Sequence, residues 1–110
     1  MDTIIIKSRK DLEKHKDKLG YTIDGNAIIE RSLSFRGWLN VSGWIDIKSG
    51  GYIEAGEYIK AGDSIEAGWR IEAGGYIKAG GYIKAGDSIE AGEYIKSGGY
   101  IEARGSIEAG

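Results

Sequence analysis

Four glutamates, Glu54, Glu72, Glu90 and Glu108, stand 18 residues apart, and Lys60, Lys78 and Lys96 keep the same interval. Paired carboxylates can cleave glycosidic bonds, but only in a cleft that keeps one acid protonated. Carboxylates spaced by a whole structural repeat supply no such cleft. The sequence has no cysteine, and His15 is its one histidine. A Cys–His dyad and a multi-histidine metal site are therefore excluded. His15 reads as a solvated or packed side chain rather than a catalytic one. The run "GGYIKAGG" lacks the Gly-Lys-Ser/Thr ending of a phosphate-binding loop. No enzymatic activity, metal or cofactor is expected.

What must position these charges is a repeat. Every sixth residue from Ile47 to Ile107 is isoleucine, and the same phase carried backwards lands on Val41, Phe35, Ile29 and Ile23. That makes fifteen hexads. Two residues after each isoleucine stands a small residue, usually alanine, and a glycine commonly follows. A unit such as "YIKA" alternates outward and inward, as a strand does. The following "GG", "GD" or "GE" turns the chain. Six residues per strand and turn suit one side of a triangular coil of 18 residues. The expected fold is mainly β, a single-stranded β-solenoid of about five coils over residues 21–110. At about 4.8 Å per coil the column should stand about 24 Å tall.

Residues 1–20 differ in kind. "TIIIK" reads as a short strand, and "SRKDLEKHKDKLG" reads as a helix with Ser8 as N-cap and Gly20 as its stop. Leu12, His15 and Leu19 would share one helical face. A strand-and-helix cap over the N-terminal mouth is expected, because terminal repeats join the stack to something else. The phase puts Arg31 at an inward small position and Trp38 and Trp44 at corners.

Charge is divided unevenly along the chain. Residues 1–20 carry six Lys or Arg against four Asp or Glu, and residues 21–110 carry nine against thirteen. A mildly acidic solenoid is a poor general binder of nucleic acid. No apolar run approaches a membrane span. The lack of cysteine is compatible with the cytoplasm, where the protein is expected to act.

The hexads resemble those of hexapeptide β-solenoids, and the cadence "GDSIEA" (residues 86–91) is similar to that of the bactofilin polymer-forming group. The likeness covers roughly residues 22–110. Left-handed acyltransferase repeats place their small residue two before the aliphatic one. Here it lies two after, which favours a right-handed coil. The bactofilin resemblance implies a non-catalytic, self-associating scaffold.

Stacking positions 18 apart turns the sequence into a surface map. One side carries Tyr58, Tyr76 and Tyr94 beside Lys60, Lys78 and Lys96. A second alternates Lys48, Glu66, Lys84 and Glu102. The third carries Glu54, Glu72, Glu90 and Glu108, with Glu57 and Glu93 at its following corner. The tyrosines could stack on bases, although a self-supporting ladder is the plainer reading. Trp38, Trp44 and Trp69 are residue types that anchor interfaces. The expected role is recognition of a protein with a basic surface, as a small inhibitor or nucleic-acid-mimicking decoy of the anti-CRISPR type. The alternative is the bactofilin-like scaffold. The final coil, with Ile95, Ile101 and Ile107, is expected to dimerise tail to tail. Arg104 at its corner would then face a glutamate such as Glu108 across that interface.

Overall fold

The computed structural model describes residues 2–48 and 50–110; Met1, first residue of the expected cap, lies outside them. The N-terminal elements are β1 (Thr3–Ile6), α1 (Arg9–Glu13) and β2 (Lys16–Asp17). Five strands of the early coils follow: β3 (Gly20–Ile23), β4 (Asn26–Ile29), β5 (Leu33–Phe35), β6 (Leu39–Val41) and β7 (Ile45–Ile47). The regular hexads give β8 (Ile53–Ala55), β9 (Ile59–Ala61), β10 (Ile65–Ala67), β11 (Arg70–Ala73) and β12 (Ile77–Ala79). The last are β13 (Ile83–Ala85), β14 (Ser88–Ala91), β15 (Ile95–Ser97), β16 (Ile101–Ala103) and β17 (Ile107–Ala109).

Every third strand pairs, and the described strands form three sheets along one column. The first runs β1-β4-β7-β10-β13-β16, the second β2-β3-β6-β9-β12-β15, and the third β5-β8-β11-β14-β17. All pairs are parallel except β2 with β3. This is the expected β-solenoid of about five coils, and its largest dimension is 32 Å with the cap included.

Each hexad contributes an in-out-in strand. Ile53, Ile59, Ile65, Ile71, Ile77, Ile83 and Ile89 are fully buried, and the alanines two residues on nearly so. A buried isoleucine contributes roughly 1.5–3 kcal/mol, so the central stack supplies most of the stabilisation. Alanine beside it lets the chain turn the corner without overfilling the triangle.

The phase of the first coils is shifted from the sequence expectation. Ile77 pairs with Ile59 and Ile95, an 18-residue step, but Ile53 pairs with Leu33 and Ile65 with Ile45, a 20-residue step. Two residues are therefore inserted between β7 and β8. The extra length sits at a corner, where Gly50 takes φ +77° and the Gly51 N–H bonds the Lys48 carbonyl at 2.9 Å. Consequently Ile23, Ile29, Phe35, Val41 and Ile47 are buried in the second inward position, opposite later alanines. Leu33, Leu39 and Ile45 hold the first. Arg31 is not inward; it lies exposed in the turn between β4 and β5.

The N-terminal end also departs from expectation. β1 is no separate lid; it hydrogen-bonds to β4 as the outermost rung of the first sheet. The helix spans only Arg9–Glu13, and Ser8 makes no side-chain cap bond. Asp11 instead accepts the Lys7 N–H at 2.9 Å. Lys16 and Asp17 leave the helix to pair with Tyr21 and Gly20, with Lys18 at φ 56° in the turn. Leu12 is buried, but Leu19, expected beside it, is 75% exposed. The helix packs against β1 and β5, and Tyr21 donates to the Glu13 carboxylate at 2.6 Å. Rung, hairpin and helix thus finish the three sheets by different means.

The inward-outward assignment predicts unequal costs at neighbouring positions. Ile83→Asp would bury an unpaired carboxylate and should cost about 4 kcal/mol or more. Lys84→Asp points outward but faces Glu66 and Glu102, so about 1 kcal/mol is expected. Denaturant unfolding of both variants checks the difference; equal midpoints would contradict it.

Candidate interaction surface

The mid-strand residue of every hexad points outward, so each sheet presents one charged column. On the third sheet Ser34, Glu54, Glu72, Glu90 and Glu108 are direct register partners. Ser34 donates to Glu54 at 3.0 Å, and the Arg70 guanidinium lies 3.7 Å from Glu72. Among the described residues Glu54, Glu90 and Glu108 have no ion pair. Arg9 and Arg36 stand near the N-terminal end of this column, beside Glu54. With Arg70 on Glu72, the uncompensated part therefore runs from Glu90 to Glu108. Glutamates about 5 Å apart repel by about 0.8 kcal/mol per neighbouring pair even in water.

Beside the glutamates runs a shallow depression floored by Gly56, Gly74, Gly92 and Gly110. A Cβ on Gly74 would collide with the Gly56 carbonyl, so the backbone stays bare there. Glu57 and Glu93 are exposed on the far side of this depression, next to Tyr58 and Tyr76. They belong to the corner and not to the glutamate column itself.

The second sheet carries Thr22, Asn40, Lys60, Lys78 and Lys96 in register. None of the three lysines has an ion pair among the described residues. At its edge Trp38, Tyr58, Tyr76 and Tyr94 form one stack, with centroids 5.5, 4.7 and 5.0 Å apart and rings within 7° of parallel. The two-residue insertion is what brings Trp38 into this column. Within the stack each ring face is covered by the next ring, which leaves edges and hydroxyls outward; the outer face of Tyr94, which is 46% exposed, has no ring over it among the described residues. Such stacks contribute roughly 0.5–1.5 kcal/mol per pair beyond burial.

The first sheet differs from its expected ladder. Asp46, not Lys48, pairs with Glu66; Glu66 then pairs with Lys84 and Lys84 with Glu102. Lys48 lies beyond the strand and reaches Asp46 at 3.6 Å. Tyr82 donates to Glu66 at 3.1 Å and stacks on Tyr100. Trp38 and Trp44 are half-buried, whereas Trp69 is 42% exposed. Trp69 meets Tyr52 edge-on, and Arg70 packs over both rings. This Tyr-Trp-Arg corner beside the insertion was missed as a cluster, although Tyr52 and Arg70 stand the regular 18-residue step apart, as Ile53 and Ile71 do.

Comparison with family models, with curated proteins and with solved structures yields no match. The assignment to a β-solenoid thus rests on this chain's own register. Among the described residues no three His, Cys, Asp or Glu are grouped to hold a metal ion, and no helix is long and apolar enough to cross a membrane. His15 is half-buried beside the cap hairpin, where its carbonyl accepts the Thr22 N–H.

The tyrosines have a titratable consequence. Burial first, then the Glu57 charge, holds the Tyr58 phenol above its ordinary range; burial and the flanking tyrosines do the same for Tyr76. Burial and then the bond to Glu66 raise Tyr82, and the bond to Glu13 with burial raises Tyr21 against a smaller pull from Arg9. The native state therefore holds these protons more tightly than the unfolded chain. Their contribution is complete below about pH 10 and is lost as pH rises through the folded values. Tyrosinate absorbance should titrate above the free-tyrosine value, with melting temperature falling over the same range. Ordinary titration of all seven tyrosines would contradict this.

Proposed function

We propose that the chain is a non-catalytic binding protein, a small inhibitor or nucleic-acid-mimicking decoy of the anti-CRISPR type, acting in the cytoplasm. Its acidic face, Glu54, Glu72, Glu90 and Glu108 with Glu57 and Glu93 at the corner, engages a basic, nucleic-acid-binding surface of a partner protein. One observation carries the reading: like charges are held in strict register along one sheet while the first sheet mixes signs. A rigid row of carboxylates at regular rise offers a cationic groove a preorganised polyanion, with little side-chain ordering left to do on binding. Direct nucleic-acid binding does not fit this face, because it repels phosphate.

Replacing Glu54, Glu72 and Glu90 by Gln should leave the fold intact or slightly more stable, since repulsion is relieved. The same change should weaken capture of a basic nucleic-acid-binding protein at least tenfold and flatten its salt dependence. Replacing Lys60, Lys78 and Lys96 by Gln should not weaken it. Equal capture by both triple variants would overturn the reading.

The terminal coil favours a second reading, of self-association. Ile95 and Ile101 are half-buried, Ile107 is 49% exposed, and β15, β16 and β17 each end a sheet. Such edges template pairing. A second copy stacked tail to tail would cover them, with Arg104, exposed and unpaired among the described residues, set against a glutamate such as the second copy's Glu108. In about 500 mM salt, a dimer at micromolar concentration that Ile101→Lys with Ile107→Lys converts to monomer is the expected light-scattering result. Open-ended polymers would instead favour the bactofilin-like scaffold.

A further inference from the structure

The lysine column of the second sheet is left without a role by the acidic-face reading. It runs Lys60, Lys78, Lys96, each the register partner of the next, on a sheet whose only other described strand charges are Lys16 and Asp17 of the cap hairpin. The glutamate column of the third sheet runs Glu54, Glu72, Glu90, Glu108 in the same way. Both columns are spaced by the same coil, so their rise is identical by construction. Ring centroids on successive coils measure it at 4.7–5.0 Å. The spacing of three lysines therefore matches that of three successive glutamates.

We propose that the lysine face of one copy docks laterally on the glutamate face of a second copy. Complementary charge along two equally spaced columns identifies the occupant as the same chain. Within one column each charge repels its neighbours; across the pair each finds an opposite partner, which relieves both rows together. The glycine-floored depression beside Glu72, Glu90 and Glu108 gives the aliphatic lysine stems room to lie down. The tyrosine edge adds neutral hydroxyl donors at Tyr58 and Tyr76, since a phenol keeps its proton at neutral pH. The inference stands whether or not the acidic face also binds a foreign protein.

The contact joins two different faces, so every copy keeps one free face of each sign. Association of this kind is not limited to two copies and grows with concentration. It also covers the glutamates, so a cationic partner and a second copy compete for them. It differs from the tail-to-tail contact, which stops at two and, resting mainly on apolar burial, is weakened little by salt.

Sedimentation of the intact chain at about 20 mM and about 500 mM salt tests this, because the Debye length falls from about 20 Å to about 4 Å between them. Average mass should rise with concentration at low salt, and association should weaken at least tenfold at high salt. Two charge-reversed variants extend the test. One carries Lys60→Glu, Lys78→Glu and Lys96→Glu; the other carries Glu54→Lys, Glu72→Lys, Glu90→Lys and Glu108→Lys. Each alone should lose the salt-sensitive association, and an equimolar mixture should regain it, because one variant keeps the glutamate face and the other the lysine face. Should either fail to give the wild-type circular dichroism, Lys78→Gln and Glu72→Gln should each weaken association several-fold. A wild-type mass independent of salt would overturn the proposal. So would a folded reversed variant that associates alone as the wild type does, or two folded variants whose mixture does not associate.

Discussion

Everything on the surface of this molecule follows from one constraint: each coil hydrogen-bonds its backbone to the coil before it. The bonds run through the strands and the corners alike. The Ile77 N–H reaches the Tyr94 carbonyl at 3.0 Å, and the Gly80 and Gly81 N–H groups reach Ala61 and Asp63. With no slack at the corners, a residue sits directly over its counterpart one coil away. Isoleucine over isoleucine and tyrosine over tyrosine are favourable, so near-copies of one hexad suffice to build the column. Glutamate over glutamate is not favourable. The same register that makes the core easy to encode forces any repeated charge into a row.

That constraint also explains how an insertion is absorbed. Two extra residues within a strand would keep its in-out alternation but break its register with the neighbouring coil. They fall instead at the corner after β7, where Gly50 takes φ +77°, and pairing resumes with Ile53 opposite Leu33. The irregularity is confined to the surface, where Tyr52, Trp69 and Arg70 pack around it. A periodic column thereby gains one corner unlike the others, while the core beneath it stays continuous.

The regular half of the fold was legible because isoleucine and alanine differ in size, so each hexad declares its phase. The early coils hide theirs. Both inward positions are large there, Leu33 with Phe35, Leu39 with Val41 and Ile45 with Ile47, so a six-residue step fits either one. The signal that could have exposed the shift was Arg31, a charge assigned to an inward site that cannot hold one. The helix was overextended for a related reason. Leu12, His15 and Leu19 satisfy helical spacing, but Lys16 and Asp17 instead gain a strand partner in Tyr21 and Gly20, and periodicity does not weigh that competition. The charged columns after residue 53 were readable as they stand. Lys48 was misplaced by the insertion that moved Asp46 into its column.

The contrast among the three faces is the most informative feature of the surface. On the first sheet Lys84 between Glu66 and Glu102 offsets their repulsion, which shows that the repeat tolerates either sign at a mid-strand site. Uniform lysine on the second and uniform glutamate on the third are therefore not demanded by the fold. Each row carries a repulsive cost in the isolated column, which opposite charge outside it would relieve. For the glutamates the proposed source is a basic protein or a second copy; for the lysines it is the third sheet of a second copy. Since both pairings use the glutamate row, they exclude one another, and ionic strength weakens both. The terminal coil follows different physics. Its exposed isoleucines and unpaired strand edges attract by burial and hydrogen bonding, which salt leaves largely intact. Contacts at the side and at the end of the column can therefore be separated by salt alone.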